Sequence, residues 1–260
     1  MPEGLRYPMG ALAALALPLS GLVALEVAVE QGAVRRALVP APSDVWAELL
    51  FIFGSGALWE PLGQTLRLFG LAYLSASALA IAVGIAMGRS RVLYDLLEPL
   101  TELLRPLPKP ALLPPLILFL GLGDAMKMTI VGLAVFFPVL INTVQGVRGV
   151  DPVLIDTART FGLEGSRVVT AVVLPAALPF VFTGLRISLG LGLILVVVAE
   201  MLAGTGGIGY IIVDMQRTFR VTSMYAWIVI LAAVGFLLNY AFEELEKRLL
   251  FWSRQAERKG

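Results

Sequence analysis

DPVLIDTARTFGLEGSRVVTAVVLP, residues Asp151 to Pro175, is a polar, helix-forming segment set between two long apolar runs. Asp151-Pro152 reads as a helix start: the carboxylate caps free backbone N–H groups, and proline fits the first turn, where its missing N–H is not needed. Val153, Leu154, Ala158, Phe161 and Leu163 then gather on one face while Asp156, Arg159 and Thr160 fall on another, the pattern of a short amphipathic helix. Gly162 supplies the left-handed turn that ends it. A second short helix is expected from Glu164 through Arg167 to Leu174, with Pro175 and Pro179 stopping or kinking the chain beyond it. Two small helices joined by a glycine make a rigid projecting knob. The competing reading is an amphipathic connector lying on a membrane.

Composition supplies the membrane. Of the 260 residues 58% are hydrophobic and 15% charged, whereas soluble domains carry about 25% charged residues. The chain reads as an all-α integral membrane protein, one domain over residues 1–260. Its net charge of +1 gives no sign of a nucleic-acid partner. It has no cysteine and no histidine, which excludes disulfides, a thiol nucleophile and every site that needs Cys or His as a metal ligand. No metal, cofactor or catalytic residue is expected, and catalysis by this chain alone is not.

A bilayer core takes roughly 20 apolar residues of helix. Pro8 to Val29, Leu66 to Met87, a proline-interrupted stretch from Leu93 to Leu122, Met126 to Val144, Pro179 to Leu202 and Met224 to Phe242 meet that length, so about six spans are expected. The first is read as an uncleaved anchor, because its apolar run is longer than a signal peptide's and lacks a small-x-small cleavage site. With the amino terminus inside, the inner side collects Arg6, Arg89, Arg91, Arg148, Arg159, Arg167, Lys247, Arg248, Arg254, Arg258 and Lys259. This basic excess of roughly two to one satisfies the positive-inside rule, placing both termini and the 151–175 loop in the cytoplasm. Between the first two spans, Ser43 or Asp44 is expected to cap a short surface helix. Gly204-Thr205-Gly206-Gly207-Ile208-Gly209 resembles a phosphate cradle only superficially, since no Lys-Ser/Thr follows, and a re-entrant turn is expected there.

The spacing Asp156-Thr157-Ala158, Gly162, Val172, Leu174-Pro175 resembles the EAA loop of the permeases of binding-protein-dependent ABC importers: Glu-Ala-Ala, three residues, Gly, nine residues, Ile, one residue, Leu-Pro. Asp156, Thr157 and Val172 depart conservatively from that pattern. Val39-Pro40-Ala41-Pro42-Ser43, Arg105-Pro106-Leu107-Pro108, Phe137 to Thr143, Val147 to Pro152, Leu174 to Pro179 and Val198 to Leu202 are similar to the branch serving nitrate, taurine and alkanesulfonates. Relatives of that branch also carry thiamine-pyrimidine precursors and aromatic compounds.

The resemblance implies a type I ABC importer permease fold with cytoplasmic coupling helices in a bacterial-type inner membrane. It implies as partners a cytoplasmic ATPase dimer, an external substrate-binding protein and a second copy of the permease. The chain lacks a Gly-x-x-x-x-Gly-Lys-Ser/Thr sequence, so the ATPase is a separate polypeptide. The residues implied in ATPase coupling are Asp156, Thr157, Ala158, Arg159, Phe161, Gly162, Leu174 and Pro175. Leu154, Ala158 and Phe161 serve apolar docking or the knob's base, Asp156 and Arg159 ionic contacts, and Gly162 the turn.

For the translocation path, ionisable groups in spans usually face a cavity or each other. That draws attention to Arg67, Glu98, Glu102, Arg105, Lys109, Arg186, Glu200 and Asp214, with Glu98, Glu102 and Arg105 spaced for one helix face and an intrahelical ion pair. The fifth span, rich in Gly184, Gly190 and Gly192, is expected to line the path with Arg186, Ser188 and Glu200; Asn142 is a further candidate. The glycines also suit close helix packing. An ion-coupled secondary transporter would need carboxylates near mid-bilayer and often inverted repeats. A membrane-embedded enzyme would need a catalytic constellation.

Overall fold

The computed structural model describes residues 7–251, with side chains from residue 16 onward. Arg6, Arg254, Arg258 and Lys259, used above for orientation, lie outside the described residues. The chain separates into two compact units: residues 1–61 with 211–232, and residues 62–210 with 233–260.

The first unit contains α1 (Tyr7–Glu30) and α2 (Pro42–Ser55). α2 starts after Ala41 with no side-chain cap from its own sequence. Glu26 of α1 does that work, accepting from the Ser43 amide at 3.0 Å and its hydroxyl at 2.6 Å. The expected Ser43 or Asp44 cap is thus replaced by a carboxylate brought across from α1, while Asp44 pairs with Arg36 at 2.8 Å. Ser223 donates to Glu48 at 2.7 Å within the same unit.

Most of α3 (Trp59–Arg89), α4 (Arg91–Leu104), α5 (Leu113–Leu120), α6 (Asp124–Arg148), α7 (Pro152–Thr160), α8 (Ser166–Val168) and α9 (Leu174–Ala203) belong to the second unit. Two further helices, α10 (Ile208–Arg217) and α11 (Val221–Leu249), each pass from one unit to the other. Among the described residues, four helical runs are long and apolar enough to cross a membrane: Trp59–Arg89, Asp124–Arg148, Ser166–Ala203 and Val221–Leu249. A fifth is reached if α4 and the run Lys109–Leu120 count as one span broken by a 90° bend. The expected first span, Pro8 to Val29, falls on α1, whose side chains are described only in part.

The core of this unit is made where α6 meets α9. A Cβ placed on Gly184 would lie 2.9 Å from the Asn142 Cβ and 3.0 Å from the Pro138 carbonyl oxygen, so only glycine permits this separation. Gly84 of α3 meets Thr143 of α6 in the same way, at 2.7 Å. Close backbone approach at small residues is how helices pack without a hydrophobic driving force between them. Gly190, by contrast, faces open space.

One expectation fails here for an identifiable reason. The segment after Gly165 is no separate small helix: α8, a π-helical turn at Val169–Val173 and α9 form one run from Ser166 to Ala203. Pro175 lacks an N–H and its ring crowds the carbonyl four residues back, and a wider π turn just before it takes up that conflict, so the helix continues through both prolines. Where a re-entrant turn is expected, residues 204–207 form a glycine turn that leads into the helix α10.

Candidate functional site

The knob is α7 and its exit. The Asp151 carboxylate accepts from the Val153 amide at 2.9 Å, and Pro152 occupies the first turn. At the other end Gly162 adopts φ +81°, its amide donates to the Arg159 carbonyl at 2.9 Å, and the Leu163 amide donates to the Ala158 carbonyl at 3.0 Å. That bond pair is a Schellman stop, which seats Leu163 against Ala158.

The division of faces differs from the one expected. Ala158 is buried, and Ile155, Leu163, Val172 and Leu174 pack on a base cluster of Val147, Val150, Val168, Val169, Val173 and Ala177. Val153, Leu154 and Phe161 point outward, Phe161 at 82% exposure. Ile155 lies three residues, just under one turn, before Ala158, so the inner stripe runs through Ile155, which is not on the face expected from the sequence. Arg159 pairs with Asp156 at 3.3 Å on the exposed side. Thr157 is tied to the Val153 carbonyl at 2.7 Å, and Pro175 sits in the first turn of α9. The exposed tip therefore carries Leu154 and Phe161 beside a charge pair, on a helix fixed from beneath.

A second feature is a cavity of about 460 Å³ between α6, α9 and the bend after α4. Asn142 lines it; Arg186, Ser188 and Glu200 do not. Arg186 pairs with Glu246 of α11 at 2.6 Å, a partner far away in sequence that no local signal indicates. Ser188 is buried and donates to the Leu185 carbonyl at 2.9 Å. Glu200 is 2% exposed and accepts from Thr65 at 2.8 and 3.0 Å and from the Gly209 amide at 3.0 Å, while the Ile208 amide donates to the Thr65 hydroxyl at 2.9 Å. The carboxylate thus staples the glycine turn and the start of α10 to α3. Asn142 itself donates to the Pro138 carbonyl at 2.8 Å.

Among the described residues, helices alone, several of them long and apolar enough to span a membrane, with a rigid exposed knob and a cavity between α6, α9 and the bend after α4, fit a membrane transport subunit. Residues 76–251 match the family of the binding-protein-dependent transport system inner membrane component. The taurine transport system permease protein TauC of Escherichia coli (strain K12) is 35% identical, the match covering 84% of this chain and 82% of TauC. SsuC of Bacillus subtilis (strain 168), named provisionally as an aliphatic sulfonates transport permease protein, is 33% identical over 98% of this chain and 92% of its own. A crystal structure of an amino acid ABC transporter with histidines shares the fold at TM-score 0.55 and 18% identity, covering 73% of this chain and 91% of that one. The chain belongs to the family of binding-protein-dependent transport system inner membrane components. It is the multi-pass permease subunit of an ABC importer and leaves ATP hydrolysis to a partner.

Proposed function

We propose that this permease forms, with a second copy of itself, the inner-membrane path for a small sulfonate-type anion delivered by an external binding protein. In this reading residues 1–260 act as one permease domain of the type I fold. Its six spans comprise α1, the four long runs and the broken α4–α5 pair, with both termini in the cytoplasm. Segment 151–175 is the coupling element. Leu154 and Phe161 enter a groove on the ATPase, Asp156 and Arg159 make ionic contacts at its rim beside the exposed Thr157, and Ala158, Gly162, Leu174 and Pro175 hold the knob on its base. ATP-driven closure of the ATPase dimer moves the knob and, through the continuous run Ser166–Ala203, the wall of the cavity. The path passes Asn142.

The observation that carries this reading is the pairing of exposed apolar side chains with a helix anchored on its other face. An apolar tip such as Phe161 is costly in water and is expected to be covered. A helix lying on lipid would turn its apolar stripe to the membrane, whereas here the inner stripe packs on protein.

The test is ATPase activity of the permease co-purified in lipid with its partner ATPase, with and without its binding protein. Nitrate, taurine, ethanesulfonate and a pyrimidine are the trial solutes. Stimulation by the binding protein with taurine or ethanesulfonate is the expected result. Stimulation by the pyrimidine alone would reassign the solute, and failure to bind any ATPase would remove the coupling role of α7.

A further inference from the structure

We propose that the break between α4 and α5 is an anion site in which Lys109 and Arg105 hold the acid head of a small organic anion. The walls at Ile187, Leu191 and Leu195 then take its carbon chain. The proposal rests on the permease reading above and names the solute chemistry of its cavity.

The ionised side chains lining the 460 Å³ cavity are Arg105 and Lys109, both cations, and the remaining wall is apolar apart from Asn142. Its volume lies in the range of small-molecule sites, about 300–1,000 Å³. The Lys109 ammonium donates to the carbonyls of Leu104 at 2.9 Å and Arg105 at 3.1 Å and stands 4.6 Å from the centre of the Phe137 ring. All three partners are neutral. They fix the ammonium without cancelling its charge, and Lys109 in turn covers two helix-end carbonyls that would repel an anion.

The local sequence explains why the group is held there. Pro106 and Pro108 cannot donate to the last turn of α4, so its terminal carbonyls are left open and Lys109 reaches back across the 90° bend to those of Leu104 and Arg105. Arg105 pairs with Glu102 at 3.5 Å with both side chains more than half exposed, a weak contact that an arriving anion can replace. A neighbouring cavity of about 150 Å³ also touches Arg105, but Glu98 and Glu102 line it too. Of these two cavities, the larger presents positive charge without a carboxylate in its wall.

Because the chain has no cysteine, one introduced at Leu191, which lines the cavity and is 41% exposed, reports without background. In the permease–ATPase complex in nanodiscs, Leu191→Cys is reacted with anionic methanethiosulfonate ethylsulfonate and with its cationic ethyltrimethylammonium counterpart. Rates are normalised to a small free thiol. The anionic reagent is expected to react faster by on the order of tenfold, the scale of field focusing in a cleft lined by one sign of charge. Lys109→Gln and Arg105→Gln should each pull that ratio toward one and Lys109→Arg should keep it, which separates charge from misfolding. Ethanesulfonate should protect the thiol in the parent and not in the double Gln variant. A ratio indifferent to both Gln substitutions, or no protection, overturns the site while leaving the pathway reading in place. No reaction with either reagent in any nucleotide state overturns the site and the pathway together.

Discussion

The helical run Ser166–Ala203 is entered through Gly162 and Gly165 and left through Gly204 to Gly207. At the entry the shape is held by backbone: two amide–carbonyl bonds and a glycine at φ +81° stop α7, and no buried polar side chain takes part. At the exit it is held by a side chain, since Gly207 at φ +95° is pressed against the Glu200 carboxylate, which also binds Thr65 and Gly209. The difference teaches where each turn keeps its freedom. A turn fixed by backbone leaves its side chains available to a partner. A turn fixed by a buried carboxylate has committed that side chain to structure.

The sharpest way to break this comparison is at Glu200. Glu200→Ala leaves the Gly209 amide and the Thr65 hydroxyl buried without their acceptor, and each such donor costs about 1–3 kcal/mol. The variant is expected to show the largest loss of thermal stability in detergent. Glu200→Gln, which keeps the shape and one acceptor oxygen, should fall between it and the parent. If Glu200→Ala melts with the parent but no longer transports, the carboxylate serves the solute path and the staple is unimportant.

The next effect is expected at Gly162. A β-branched residue at positive φ costs roughly 1–3 kcal/mol of local strain, and Gly162 has no neighbour for an added Cβ to strike, so the strain is purely conformational. Gly162→Val should therefore unseat α7 while the spans stay folded, with ATPase co-purification lost and span stability little changed. A parallel collapse of both would mean that the knob turn supports the fold as the glycine turn does.

How much of this was legible in the sequence follows the same line. Local devices declare themselves: Asp151-Pro152 and Gly162 lead to elements that the structure contains, four of the expected spans fall on helices long and apolar enough to cross a membrane, and the importer family was readable from the spacing between Asp156 and Pro175. Side-chain devices join distant residues and do not. Nothing near Glu200 points to Thr65, nothing near Arg186 points to Glu246, and the Glu26 cap on α2 comes from another helix. Glu200 was expected on the path because a carboxylate in an apolar helix commonly marks function, but the same rule allows it to satisfy backbone donors instead. Pro175 misled for a different reason, because the π turn that absorbs it has no sequence mark. The cations of the cavity wall were visible, yet their convergence depends on a bend whose angle proline alone does not set.

The smallest effect on stability, and the most selective one, belongs to the exposed pair Asp156 and Arg159, whose side chains are 72% and 65% exposed. Such a pair along a helix contributes about 0.2–0.5 kcal/mol, so neither Asp156→Lys nor Arg159→Ala should shift melting measurably. Exchanging the two, as Asp156→Arg with Arg159→Asp, keeps an i,i+3 pair on the same face but inverts the charge offered to a partner. If the pair only supports α7, the exchange is silent in ATPase affinity and transport. If it meets the ATPase, affinity falls in the exchange as it does in Asp156→Lys, and a matching charge reversal on the ATPase restores it. A silent exchange would confine the partner surface to Leu154 and Phe161, leaving apolar burial as the whole of the docking energy.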